Sequence, residues 1–368
     1  MPTTNTSRDS LRKLAQNALE KNLYVSAALI VEKLIGQNFD VVRYKEPILD
    51  PSYIEDCILY ARCFYLNGEP RRCLAILEQK QLLSATLISY LADVVNPQST
   101  FADDDCVQYH SFVRSICLHL EGIQLAAQCL YIIEQFDDCS ALLEPLVCVE
   151  AVESWMYCLV HRLRKLLSIN ENAELNQMSA IYCIFGKCND ILDNRSKSLR
   201  SLTIAVLIDL ACSEAVEHIV NSGMLSLTER RSLFSSVLRA DCNTPQREWI
   251  IPFYEYLLLD QDPSFVDLVS DQKNRNQQAV ATQSIAHQMN SASWLVRQAE
   301  YNFNHQFIED AYRLARHAYT IDPFDNSGLI IYIASMVELK LKTELFYLGH
   351  ELVDTSKMSL MSLPNPNS

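Results

Sequence analysis

Apolar residues recur along this chain at intervals of three and four rather than in alternation, and that period is helical nearly from end to end. The clearest stretch is residues 299–321. There Ala311, Ala315 and Ala318 form a small-residue stripe at helical spacing, Phe303, Asn304 and His305 break the helix before it, and Pro323 ends the helix near Ile321. Proline lacks the amide hydrogen a helix interior needs and pushes the residue before it out of the α region. A new apolar-periodic run, "GLIIYIASMVELK", then begins. The unit reads as helix, turn, helix, proline, helix.

A small residue at Ala299, a second twelve later at Ala311, and then Ala315, Ala318 and Pro323 make the skeleton of a tetratricopeptide repeat. Two helices that cross closely need small side chains at the crossing, so the spacing of twelve should recur. It does: Ala15 with Ala27, Ala61 with Cys73, Ala127 with Cys139, Gly186 with Ser198, Ala299 with Ala311, and Ala334 with Phe346, a large partner. Short amphipathic helices cannot bury both faces alone and stack on their neighbours. The predicted fold is all-α, a tetratricopeptide-repeat superhelix, or α-solenoid, of stacked antiparallel helix pairs. Only the final two units approach the ideal period of ~34 residues, so the others carry insertions. Gln37 to Ser52 is expected to lengthen one connection, and Asn96 to Asp105 to form an exposed loop with a solvated acidic run at Asp103, Asp104 and Asp105. Residues 212–260 keep a helical pattern, with Ser226 or Thr228 as the cap of the run in "MLSLTERRSLF". The resulting organisation is a disordered start at 1–9, amino-terminal repeats at 10–160, irregular helical repeats at 161–268, a polar insertion at 269–288 that becomes helix near Val280, two regular repeats at 289–354, and a polar tail at 355–368.

Composition agrees with an ordered helical protein. Hydrophobic residues make up 49% of the 368, while 7 glycines, 12 prolines and few alternating runs leave little room for a strand-rich fold. A net charge of -14 repels phosphate backbones and anionic membrane surfaces, so neither nucleic acid nor membrane is expected as a partner. The first residues lack an apolar leader core, and no stretch has the ~18 apolar residues of a membrane span. The thirteen cysteines are odd in number and contain no Cys-x-x-Cys pair, so they read as reduced, small hydrophobes on helical faces.

Catalytic motifs are missing. Seven scattered glycines build neither a nucleophile elbow nor a phosphate loop, and the eight histidines have no second ligand at i+3 or i+4. The expectation is no catalytic residue, no metal, no cofactor and no small-molecule substrate. Recognition of other proteins is the remaining role. In this repeat the first-helix positions one, four and five after the small residue line the inner wall, which selects Arg62, Tyr65 and Leu66 in the second unit, with Ile58 a turn earlier. A wall of Ile58, Tyr65 and Leu66 suits a protein helix better than a small polar ligand. A clamp for an acidic peptide tail would need Lys or Arg with Asn on successive first helices, where this chain has Arg12 and Gln16, Ile58 and Arg62, Val296 and Glu300.

The stretch "MVELKLKTELFYLGHELVD" (Met336 to Asp354) resembles the repeat scaffold subunit of the anaphase-promoting complex, the cell division cycle protein sixteen family. "AEYNFNHQFIEDAYRLARHAYTIDPFD", "GKCNDILDNRSKSL", "MLSLTERRSLF" and "SLRKLAQNALEKNLYVSAALIVEKL" keep that family's order, more loosely before residue 180. The resemblance implies a non-catalytic part of a cell-cycle ubiquitin ligase, present in nucleus and cytoplasm, whose amino-terminal repeats form a homodimer and which contacts other subunits of the complex. The family continues with further repeats after the position of Asp354, where this sequence has the polar "TSKMSLMSLPNPNS". The last helix pair is read as about Leu329 to Val353. Its Leu345, Phe346, Leu348 and Leu352 leave apolar positions on more than one side, so one flank is expected to lie bare.

Overall fold

The computed structural model describes residues 3–36, 51–95, 106–147, 176–239, 250, 251, 254, 257, 258 and 291–361. Among these residues are fifteen helices and no strand. The chain divides into two compact units, Met1–Leu258 and Leu259–Ser368. The expected connection at 37–50, the loop at 96–105 and the polar insertion at 269–288 lie outside the described residues.

In the first unit α1 (Thr3–Glu20) pairs with α2 (Tyr24–Gly36), and α3 (Pro51–Leu66) with α4 (Pro70–Gln79). Helix α5 (Ala85–Val95) precedes α6 (Cys106–Ile132), which pairs with α7 (Phe136–Leu143). Then α8 (Gln177–Ile191) pairs with α9 (Arg195–Ile208), followed by α10 (Ser213–Asn221) and α11 (Leu227–Arg239). Helices α3, α6 and α8 lie side by side as consecutive first helices. One core runs through the early repeats, from Ala15, Val31 and Ile54 through Phe64 and Leu77 to Ala126 and Cys129.

Two expected boundaries move. The start is not disordered from residue 3 onward, because Arg8 and Arg12 of α1 reach the buried Asp56 of α3 and hold the first turns of the helix. The connection expected to run through Ser52 stops sooner, since Pro51 opens α3; a proline there gives up no intrahelical hydrogen bond. At α11 the expected cap is Ser226: its Oγ accepts from the Glu229 amide at 3.4 Å, and its own amide donates to Glu229 Oε2 at 2.8 Å. This reciprocal arrangement is a capping box.

The turn inside each repeat fixes the register. A left-handed residue stands seven positions after the small residue in five units: Asn22, Gly68, Glu134, Asp193 and Gln306, with φ between 58° and 77°. At Gly68 the amide donates to the Tyr65 carbonyl at 3.1 Å and the next amide, of Glu69, to Phe64 at 2.9 Å. That pair of bonds closes a helix end on a left-handed residue and satisfies its last carbonyls. The small residues twelve apart then meet in the core. Ala15, Ala27, Ala61, Cys73, Ala127, Cys139, Ala299 and Ala311 are all fully buried. A Cβ on Gly186 would stand 2.6 Å from Leu202 Cγ, so only glycine fits there, and Ser198 Oγ donates to the Gly186 carbonyl at 2.8 Å.

The same register accounts for the cysteines. Two positions after the small residue stand Cys63, Cys129 and Cys188, all buried, each against the second helix of the preceding repeat. Cys63 packs with Ala27, Cys129 meets Cys73, and Cys188 meets Cys139.

The second unit holds α12 (Ala292–Asn304), α13 (Ile308–Ile321), α14 (Asn326–Glu338) and α15 (Lys342–Met361) around Ala299, Ala315, Tyr332, Met336 and Leu348. Tyr312 and Tyr319 flank the Tyr332 ring at 5.7 and 5.5 Å. Here the expected register is off by one. The left-handed residue is Lys340, seven after Ile333 rather than Ala334. The Leu345 amide bonds the Leu341 carbonyl at 3.1 Å, as the Ala311 amide bonds Phe307 at 3.0 Å in the preceding repeat. The structural pair is therefore Ile333 with Leu345, and Phe346 points away. The tail also differs from expectation: α15 continues past Val353 to Met361, because no glycine or proline interrupts the chain before Pro364.

Of the four residues expected to form the bare flank, Leu348 is 6% exposed, and Leu345 and Leu352 are half-buried against the Tyr332 and Met336 core. Phe346 alone fits the expectation, at 64% exposed, beside the exposed Tyr347 and with its ring edge-on to His350 at 4.4 Å. Leu345→Glu is expected to destabilise this unit by about 3 kcal/mol, since it sets a carboxylate against an apolar core. Phe346→Glu should stay within about 0.5 kcal/mol and lower the binding of an apolar dye. Urea denaturation and dye fluorescence of the two variants check the register directly.

Candidate protein-interaction wall

First helices present their inner face through positions four and five after the small residue. In the second unit of the chain these are Tyr65 and Leu66, in the next Tyr131 and Ile132, and in the next Asp190 and Ile191. Leu66, Ile132 and Ile191 occupy one register position on three helices that lie side by side, and they are 43%, 54% and 48% exposed. Isolated exposed aliphatics are ordinary. Three at one repeat position form a ladder along a single face.

The residues proposed from sequence divide. Leu66 belongs to the ladder. Tyr65 stands beside it half-buried, and its hydroxyl pKa is raised by that burial. Arg62 is exposed but ion-paired with Glu121 of α6. Ile58 is 2% exposed, packed in the core beside Gly122 of α6, and so is no part of the surface. The long α6 covers it, which no spacing within α3 reveals. Ile132 and Ile191 were missed, although the same rule, five after Ala127 and five after Gly186, points to them.

Polar side chains tie the first helices together around this ladder. Arg62 joins α3 to α6 through Glu121, Lys187 joins α8 to α10 through Glu214, and His218 Nε2 of α10 lies 2.8 Å from Asp190 Oδ2 of α8. Burial lowers and the Glu214 contact raises the Lys187 pKa, with a net upward shift that keeps the ammonium charged. On the other side of the first repeats, Val25, Leu29, Tyr60 and Phe64 line a groove of ≈ 170 Å³ with Arg72. Its guanidinium carbon lies 4.1 Å from the Phe64 ring centroid. That volume is below the few hundred Å³ of an ordinary small-molecule site. In the second unit Ile330 and Val337 expose apolar side chains on one face of α14, about two turns apart. Among the described residues no group of three or more His, Cys, Asp or Glu side chains is placed to hold a metal ion, and no helix is long and apolar enough to cross a membrane.

A face of exposed aliphatic rungs between paired charges has the chemistry of a protein-recognition surface. Comparison with known proteins agrees with a repeat protein. No family model matches the sequence. Over 185 residues, half of this chain, it is 29% identical to human cell division cycle protein 16 homolog and to anaphase-promoting complex subunit 6 of Arabidopsis thaliana. The mouse homolog matches at 27% over 184 residues. The matched segment spans 28% of the human protein and 33% of the Arabidopsis one, so it corresponds to a third or less of either. Among solved structures, the anaphase-promoting-complex hetero-tetramer Cut9–Hcn1 superposes with a TM-score of 0.60 at 16% identity, covering 94% of this chain and 53% of that one, a likeness of fold. The chain is a tetratricopeptide-repeat protein, and over half its length it is a homologue of cell division cycle protein 16 and anaphase-promoting complex subunit 6.

Proposed function

We propose that the chain is a non-catalytic scaffold subunit of the anaphase-promoting complex, a cell-cycle ubiquitin ligase, working in nucleus and cytoplasm. It holds other subunits against its repeat faces and pairs with a second copy through its amino-terminal repeats. The observation that carries this reading is the relationship over 185 residues to proteins named for that complex. The fold supports it physically. Stacked helix pairs offer extended surfaces rather than an enclosed reaction site, and the ladder of Leu66, Ile132 and Ile191 offers apolar anchors to a partner helix.

Affinity isolation of the tagged chain from dividing cells, followed by identification of its partners, tests the first part. Recovery of other subunits of the complex is expected, and their absence sinks the assignment. Changing Leu66, Ile132 and Ile191 together to serine should leave the helical content intact. Each aliphatic loses about 1 kcal/mol of burial in the complex, so subunit retention should fall on the order of 100-fold. Sedimentation at micromolar concentration tests the homodimer, and a monomer there counts against it.

A further inference from the structure

Two of the three cysteine contacts follow from repeat packing, and the third does not. Cys73 with Cys129 and Cys139 with Cys188 each join the small residue of a second helix to the position two after the small residue of the next first helix. All four are buried. Cys183 and Cys212 also lie thiol to thiol, but Cys212 stands in the turn between α9 and α10, outside that register. Cys212 is half-exposed, whereas Cys183 is buried.

The turn around Cys212 is held firmly. Asp209 Oδ2 accepts the Asn176 amide and Oδ1 the Ala211 amide, both at 2.9 Å, and the Tyr254 hydroxyl donates to the Leu210 carbonyl. Cys212 is the residue before the first turn of α10, and its sulfur receives the Ala215 amide hydrogen. Helix amide groups and their dipole favour an anion at this position. The Cys183 contact, foremost, and then the Ser179 and Ala215 hydrogen bonds draw the Cys212 thiol down to about 7 against the opposing effect of burial. By contrast, burial pushes Cys57 and Cys63 up to about 11.

We propose that Cys183 and Cys212 form a hydroperoxide-sensitive dithiol whose oxidation to a disulfide locks α8 to the start of α10. The Cys212 thiolate attacks the peroxide oxygen; a sulfur–oxygen bond forms, the oxygen–oxygen bond breaks, and the alkoxide or hydroxide leaves and takes a proton. Cys183 then attacks the sulfenic sulfur, the sulfur–sulfur bond forms, and water departs. Two thiols lose two electrons and two protons, and the peroxide is reduced to alcohol or water. The lock fixes the crossing of α8 and α10, where Lys187 pairs with Glu214 and Asp190 with His218, directly beside Ile191 of the ladder.

The test uses the full reduced chain at pH 7.5, treated with stoichiometric hydrogen peroxide, alkylated, digested and analysed by mass spectrometry. The peptide joining residues 183 and 212 should appear at least tenfold before any joining 73 to 129 or 139 to 188. The melting temperature of the oxidised chain should rise by several degrees and return with dithiothreitol, since the link closes residues 184–211 into a loop. Cys212→Ser keeps a hydrogen-bonding residue at the helix start and should abolish both effects. Cys183→Ala should leave a sulfenic acid at Cys212 that dimedone traps. Equal rates at all three pairs, oxidation of Cys117 before Cys212, or a helical Cys212→Ser variant that still shows the melting shift would overturn the proposal.

Discussion

Asp56→Ala should cost about 3 kcal/mol of stability in the first unit and free α1 to exchange its amide hydrogens. The carboxylate is fully buried in α3. Arg8 Nη2 reaches its Oδ2 at 3.1 Å and Arg12 Nε its Oδ1 at 2.8 Å, so both oxygens carry charge-assisted bonds. Arg12 also donates to the Ser52 carbonyl at 3.3 Å. The guanidinium side chains are 24% and 15% exposed, too little for water to replace the lost partner fully. Breaking a buried pair from one side typically costs 3–5 kcal/mol. Asp9 and Glu55, 3.6 and 3.9 Å from Arg12, retain part of the attraction and place the expected value at the lower end. Asp56→Asn, which keeps the shape and one acceptor, should cost less than half as much. Chemical denaturation with hydrogen exchange read out on residues 8–20 measures both, and a change under 1 kcal/mol for alanine would refute the seat. Because α1 belongs to the repeats proposed for self-association, the alanine variant should also weaken the dimer.

This network shows which part of the molecule a sequence conceals. Arg8, Arg12 and Asp56 are joined over 44 and 48 positions, and nothing in the local pattern of α1 or α3 announces the pairing. The repeat pairs were legible because each needs only two small residues at one spacing, a constraint stated within a single helical hairpin. The last pair misled for a related reason. Ala334 has the size the rule asks for, but the crossing at Ile333 and Leu345 is filled by two larger residues, and the turn at Lys340 fixes the register instead. Ile58 failed as a surface residue because its cover, α6, comes more than fifty residues later. The buried cysteines were read correctly as small hydrophobes, as Cys73, Cys129, Cys139 and Cys188 show. Only contacts in space separate Cys183 and Cys212 from them.

Acidification is expected to weaken the first unit through a single histidine, and replacing it should remove the effect. His119 lies in α6, is buried, and has no hydrogen-bond partner on either ring nitrogen; one turn earlier the buried Ser115 hydroxyl is likewise unpartnered. Burial alone lowers its pKa from 6.5 to about 4, and no neighbouring carboxylate contributes to hold the charged form. The unfolded chain therefore binds a proton at this ring as pH falls through 6.5, while the folded chain does not until near 4. Protons bound by the unfolded state draw the equilibrium toward it, so stability is full above pH 6.5 and declines between 6.5 and 4. A separation of that size corresponds to about 3 kcal/mol by pH 4. His119→Met supplies an apolar side chain of adaptable shape and removes the two unsatisfied nitrogens, so it should match or exceed the unmodified chain at pH 7.5. At pH 4.5 its advantage should widen by about 2 kcal/mol. Amide exchange within α6, or denaturant midpoints followed between pH 7.5 and 4.5, reads the difference. Parallel curves for the two proteins across that range would show that the ring is solvated or paired in solution, and that acid sensitivity arises elsewhere.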